Sequence, residues 1–168
     1  MAEAFDLYDR SRQPLHRAAQ DGEALKPDEF RLGCDAWIMN DRGDMLILPV
    51  SAGGTDPSAF SPCVSGFVRC DETPREACLR VVVRRTGVLP DAKHADVLCE
   101  YVSGNVIRDV WLIRCEREAA AFGAGARFVS LDELRRMQTE GSLAAVGYLP
   151  QLLGILPFMR HVPIEKES

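Results

Sequence analysis

Short apolar runs separated by polar turn residues dominate the chain, and their order outlines a β-rich body. The first thirty residues, MAEAFDLYDRSRQPLHRAAQDGEALKPDEF, hold short strand-like pieces between polar turns and predict an N-terminal hairpin. Next, FRLGCDAWIMNDRGDMLILPV carries two apolar runs joined by Asn40-Asp41-Arg42-Gly43, which predicts strand, turn and strand. Ser51 to Ser61 reads as a loop, with two glycines and a proline, and CVSGFV as a short strand with Gly66 inside it. Two further strands follow in ADVLCEYVSGNVIRDVWLIRCE, turning at Gly104-Asn105, and another in ARFVS.

Helices announce themselves by their ends. Thr73 is an N-cap residue, Pro74 suits the first helical position, Glu76 completes a capping box, and Gly87 suits the C-terminal stop. A helix is therefore predicted from about Pro74 to Arg85. Ser130 and Glu133 form a second box that opens a helix running to about Gln138. The stretch SLAAVGYLPQLLGILPFM predicts one helix or two short ones. With no repeat and no linker, the pattern reads as one α+β domain, with a lead at 1–27, a core at 28–145 and a helical segment and tail at 146–168.

Composition narrows the function. With 168 residues, 46% of them hydrophobic, the chain has enough apolar material for a sizeable core. A net charge of −5 argues against nucleic acid as a partner, because phosphate-binding surfaces need a basic face. The N-terminus carries acids and no apolar core segment, so it does not read as a signal peptide, and a cytoplasmic location is expected. Cys34, Cys63, Cys70, Cys78, Cys99 and Cys115 include no C-x-x-C pair and read as reduced thiols. The longest uncharged window, Leu143 to Met159, is too short and too interrupted by Gly and Pro for a membrane span.

The most informative chemistry lies between Gly66 and Val88. A glycine, five residues, Glu72, seven residues, Arg80, and then Gly87 with an aliphatic neighbour resemble the Nudix box, G-x5-E-x7-R-E-U-x-E-E-x-G-U, with U aliphatic. Gly66, Glu72, Arg80, Val82, Gly87 and Val88 match; Val81, Arg84 and Arg85 stand where that family has glutamates. The resemblance covers about residues 28 to 145 and implies a mixed sheet sandwiched between helices. The opening FDLYDRSRQPLHR is similar to the lead of the isopentenyl diphosphate isomerase-like Nudix proteins. In the family, the box glutamates hold magnesium against a diphosphate and polarise a water for attack on phosphorus.

Positions 81, 84 and 85 share one face of a helix. Here that face carries two guanidiniums, which repel a cation and only donate hydrogen bonds. Ordinary Nudix catalysis is therefore not expected. Two roles stand open for the arginines: Arg80, Arg84 and Arg85, near Gly66, clamp the phosphate or diphosphate of a small molecule, or Arg84 and Arg85 are solvated surface charges, the plainer reading for Arg85. In an alternative, substitute carboxylates (Glu72, Glu76 and Glu100, with Asp109 available) hold magnesium and hydrolyse nucleoside-diphosphate-type substrates. Glu76 also has simpler duties, as capping partner of Thr73 and as an ion pair one turn from Arg80. Isomerase relatives use a cysteine beside the box glycine, whereas Ser65 and Phe67 flank Gly66 here. Cys63, two residues earlier than Ser65 and of the same strand parity, reads as a structural thiol. His16, His94 and His161 are scattered. A third class is a homodimeric interaction module, if the leucine-rich C-terminal stretch is not folded onto the core.

Overall fold

The computed structural model describes residues 2–50 and 59–159. Positions 51–58 of the expected loop, the tail after 159 and His161 lie outside the described residues.

Strands β1 (Ala4–Tyr8) and β2 (Pro14–Gln20) form the expected N-terminal hairpin. The main sheet is built from β3 (Arg31–Met39), β4 (Met45–Pro49), β5 (Phe60–Ser61), β6 (Val64–Phe67), β7 (Ala95–Ser103), β8 (Val106–Arg114) and β9 (Arg127–Val129). Its main path runs β5-β4-β3-β8-β7, with β6 also on β3 and β9 also on β4. The sheet is mixed, because β3 and β8 run parallel from Arg31↔Val106 to Met39↔Arg114 while the other pairs are antiparallel. Cys63 falls just outside β6, one residue short of the strand expected from CVSGFV.

Helix α1 (Pro74–Thr86) lies on one face; α2 (Leu131–Glu140) and α3 (Leu149–Met159) lie on the other. Strand alternation divides the apolar side chains accordingly. Leu32, Cys34, Ala36 and Ile38 of β3 meet Ala77, Cys78, Val81 and Val82 of α1. Trp37 and Met39 meet Leu134, Met137, Leu149 and Leu152 across the sheet. Because β3 is central and covered twice, all nine of its residues are buried, which explains its nearly unbroken apolar sequence.

Both predicted helix starts are present, and α1 runs one residue beyond its expected end. The Thr73 hydroxyl accepts from the Glu76 N–H, and the Glu76 carboxylate accepts from the Thr73 N–H at 2.8 Å. Gly87 takes φ 75°, the left-handed conformation for which a glycine stop is suited. At α2 the Ser130 hydroxyl accepts from the Glu133 N–H at 3.1 Å, while the Glu133 carboxylate turns to Arg127 and Arg136. The C-terminal stretch is one helix. Its Leu149, Leu152, Leu153 and Leu156 are buried against the sheet, so the leucines that suggested a dimer patch belong to the chain's own core. All six cysteines are free thiols; Cys34 and Cys78 are buried and the other four are half-buried. No helix among the described residues is long and apolar enough to cross a membrane.

Candidate functional site

A cleft of about 670 Å³ runs along the edge of β6 that faces away from β3. Arg80, Val81, Arg84 and Arg85 of α1 line it together with Cys63 to Phe67, Glu3 and Ala144. The box-like segment therefore lies on a cavity large enough for a small organic ligand.

The geometry sorts the box residues into different tasks. Arg80 grips Glu72 with two parallel hydrogen bonds, Nε to Oε1 at 2.6 Å and a terminal nitrogen to Oε2 at 2.8 Å, and donates to the Phe67 carbonyl at 2.8 Å. Burial alone would raise the Glu72 carboxyl, but the bonds from Arg80 and from the Arg69 N–H outweigh it and hold it below its ordinary 4.5. The expected ion pair between Glu76 and Arg80 does not form: Glu76 bends back to cap Thr73, because its N3 position brings the carboxylate to the unsatisfied amides at the helix start. Since the folded Glu72 value is depressed, its ion pair supports the fold above about pH 4.5 and that support is lost as pH falls through the folded value. Glu72→Gln is expected to flatten the acid arm of stability measured by urea denaturation between about pH 6 and pH 3.

Val81 points into the core and is only 6% exposed. It packs on Gly66 so tightly that a Cβ there would lie 2.3 Å from Val81 Cγ1. Arg84 and Arg85, on the same side of α1 and a turn further on, are exposed. The Arg84 side chain is 75% exposed, 3.8 Å from Glu3, and Arg85 donates to the Pro49 carbonyl while lining the cleft. Glu3 is also gripped by Arg69.

Among the described residues the candidate carboxylates are not gathered into one site. The three box positions carry Val81, Arg84 and Arg85. Glu72 and Glu76 are engaged as above, and Glu100 and Asp109 are held elsewhere by Arg12 of the β1–β2 turn. One Arg12 nitrogen donates to Glu100 at 2.9 Å and to Asp109 at 2.6 Å, and the other to Asp109 at 3.0 Å. Among the described residues no group of three or more His, Cys, Asp and Glu side chains is arranged to hold a metal ion. Magnesium takes oxygen ligands, and a valine and two guanidiniums at positions 81, 84 and 85 offer none, so these three side chains do not fit it. His16 lies on β2 and His94 just ahead of β7, apart from the cleft lining.

Sequence inspection did not single out a second constellation that reaches the cleft. Asp35 of β3 is 4% exposed, and its Oδ1 accepts from the Ser65 hydroxyl at 2.6 Å and from Arg108 at 2.9 Å. Its Oδ2 accepts from the Tyr148 hydroxyl at 2.6 Å, and Tyr148 in turn accepts from the Trp37 indole N–H at 2.9 Å. Burial holds the Tyr148 phenol far above its ordinary value, so it remains a donor to Asp35. The available signal was a lone acid inside an apolar strand, Asp35 in RLGCDAWIM, mirrored by Asp109 in VIRDVWLIR.

This sheet, its two helical layers and its capped box helix define the Nudix fold, and comparison with known proteins agrees. The chain is 24% identical over 91% of its length, and 95% of the relative's, to an uncharacterized Nudix hydrolase of Listeria monocytogenes. Its structure is similar to that of DR0079 from Deinococcus radiodurans, with a TM-score of 0.69 over 90% of this chain and 97% of the other, at 21% identity. It is also similar to the NUDIX domain of Shewanella oneidensis NrtR, solved with ADP ribose, with a TM-score of 0.56 over 84% and 94% of the two chains, at 18% identity. No protein-family model matches the chain.

Proposed function

We propose that this protein binds the phosphate or diphosphate of a small molecule in the β6–α1 cleft through arginines, without magnesium-dependent Nudix hydrolysis. The observation that carries the reading is the charge of the lining: among the described residues, Arg80, Arg84 and Arg85 stand against one carboxylate, Glu3. Arg80 is spent on Glu72, which leaves Arg84 and Arg85 with donors for an anion. Guanidinium forks match phosphate oxygens and keep their charge at any physiological pH. Diphosphates of nucleotide type are the first ligands to try, since the NrtR Nudix domain was solved with ADP ribose. Isoprenoid diphosphates come second, on the similarity of the N-terminal lead to the isomerase-like Nudix proteins.

The reading is tested by thermal shift with inorganic diphosphate and ADP-ribose in the presence of a chelator. Stabilisation is expected without metal, reaching about 2.7 kcal/mol at a ligand concentration near 100 times Kd. Arg84→Ala is expected to remove most of it. Metal-dependent turnover of a diphosphate substrate that is abolished by Glu72→Gln would replace this reading with the substitute-carboxylate hydrolase.

A further inference from the structure

The Asp35 network determines which way the hydrogen of Ser65 points. An indole N–H only donates, so the Tyr148 oxygen is the acceptor from Trp37 and the Tyr148 proton goes to Asp35 Oδ2. Asp35, facing the Arg108 guanidinium at 2.9 Å, is a carboxylate and only accepts. The 2.6 Å bond between Ser65 Oγ and Asp35 Oδ1 therefore consumes the serine proton. Burial pushes the neighbouring Cys63 thiol up to about 12, so it keeps its hydrogen, and its sulfur lies 3.8 Å from Ser65 Oγ. With its proton spent on Asp35, Ser65 Oγ has only acceptor capacity left, and Ser65 is exposed in the lining of the cleft.

A hydroxyl in this state is an acceptor only, which makes it a poor contact for an ionised phosphate and a good one for a donor. We propose that Ser65 is a specificity-determining residue that accepts a hydrogen bond from a hydroxyl or amino group of the phosphorylated ligand, an assignment that rests on the anion-binding reading of this cleft. The cleft then reads its ligand at two ends. The arginines of α1 hold the phosphate on one side of the β6 edge, and Ser65, oriented from beneath by Asp35, Arg108 and Tyr148, holds the donor on the other. A site built around an acceptor rejects an analogue that lacks the matching donor.

The test compares ADP-ribose, rich in hydroxyls and bearing an adenine amine, with dimethylallyl diphosphate, whose organic tail has no donor. Affinities are measured by calorimetry for the wild type, Ser65→Ala and Ser65→Thr, with folding checked by thermal melts. Ser65→Ala is expected to weaken ADP-ribose about tenfold and leave dimethylallyl diphosphate within about twofold, while Ser65→Thr, which keeps the hydroxyl, stays near wild type. The hypoxanthine form of ADP-ribose separates the two donors: a Ser65→Ala effect that persists assigns a hydroxyl, and one that disappears assigns the amine. Equal losses for both diphosphates, or no loss for ADP-ribose, overturn the proposal. A wild type that binds dimethylallyl diphosphate but not ADP-ribose overturns it and spares the anion site; one that binds neither ends both.

Discussion

Arg12→Ala is expected to cost about 3 kcal/mol of stability and to loosen the N-terminal hairpin, because it strands a buried carboxylate. Asp109 has only 7% of its side chain exposed, and Arg12 supplies both hydrogen bonds of its bidentate pair. Breaking a fully buried pair of this kind costs about 3–5 kcal/mol; the lower end applies because Arg12 is about one third exposed and water reaches it. Its guanidinium is held above its ordinary value by the hydrogen bonds it donates to Asp109 and then to Glu100, so it stays charged throughout. Urea denaturation of both proteins at about pH 7 measures the cost. A loss below about 1 kcal/mol would show that the pair contributes no more than an exposed surface ion pair does.

Gly66→Ala is the second large effect, with an expected loss of about 2–3 kcal/mol, or roughly 5–10 °C in Tm. The added methyl would lie 2.3 Å from Val81 Cγ1 and 3.3 Å from Val81 Cβ. A valine on a helix has one favoured rotamer, so relief requires α1 to move off the sheet. Val81→Ala by itself leaves a small cavity beside Gly66. The combination Gly66→Ala with Val81→Ala fills that cavity with the new methyl and is expected to be at least 1 kcal/mol more stable than the sum of the two losses predicts. Additive losses would show that β6 and α1 do not meet through this pair. The same contact bears on the function proposed above. Val81 is a packing residue on the side of α1 that carries Arg84 and Arg85, so a change at Gly66 is transmitted to the arginines of the proposed site.

Much of the fold was legible because its signals are local. The capping box of Thr73 and Glu76, the glycine stop at Gly87 and the turn at Asn40 to Gly43 each involve residues a few positions apart, and the structure reproduces them. The spacing from Gly66 to Val88 likewise marks the helix that packs beside β6. The helical period also put positions 81, 84 and 85 on one side of α1. What the period does not contain is the direction of the core. The fit of α1 onto β6 sent Val81 inward against Gly66 and left Arg84 and Arg85 along the cleft.

The sequence by itself determined the main elements, their order and the α+β class. Tertiary structure alone decided the partners of the charges. Arg12 and Asp109 are 97 positions apart, and Asp35 and Tyr148 are 113 apart. Neither pair has a periodic trace, because each forms only when β8 runs parallel to β3, the hairpin docks and α3 closes the opposite face. A carboxylate in the chain is a candidate for a ligand, a base, a cap or an ion pair. Its role is assigned by whichever opposite charge or amide the fold brings within about 3 Å, since direct bonding offsets the cost of removing it from water.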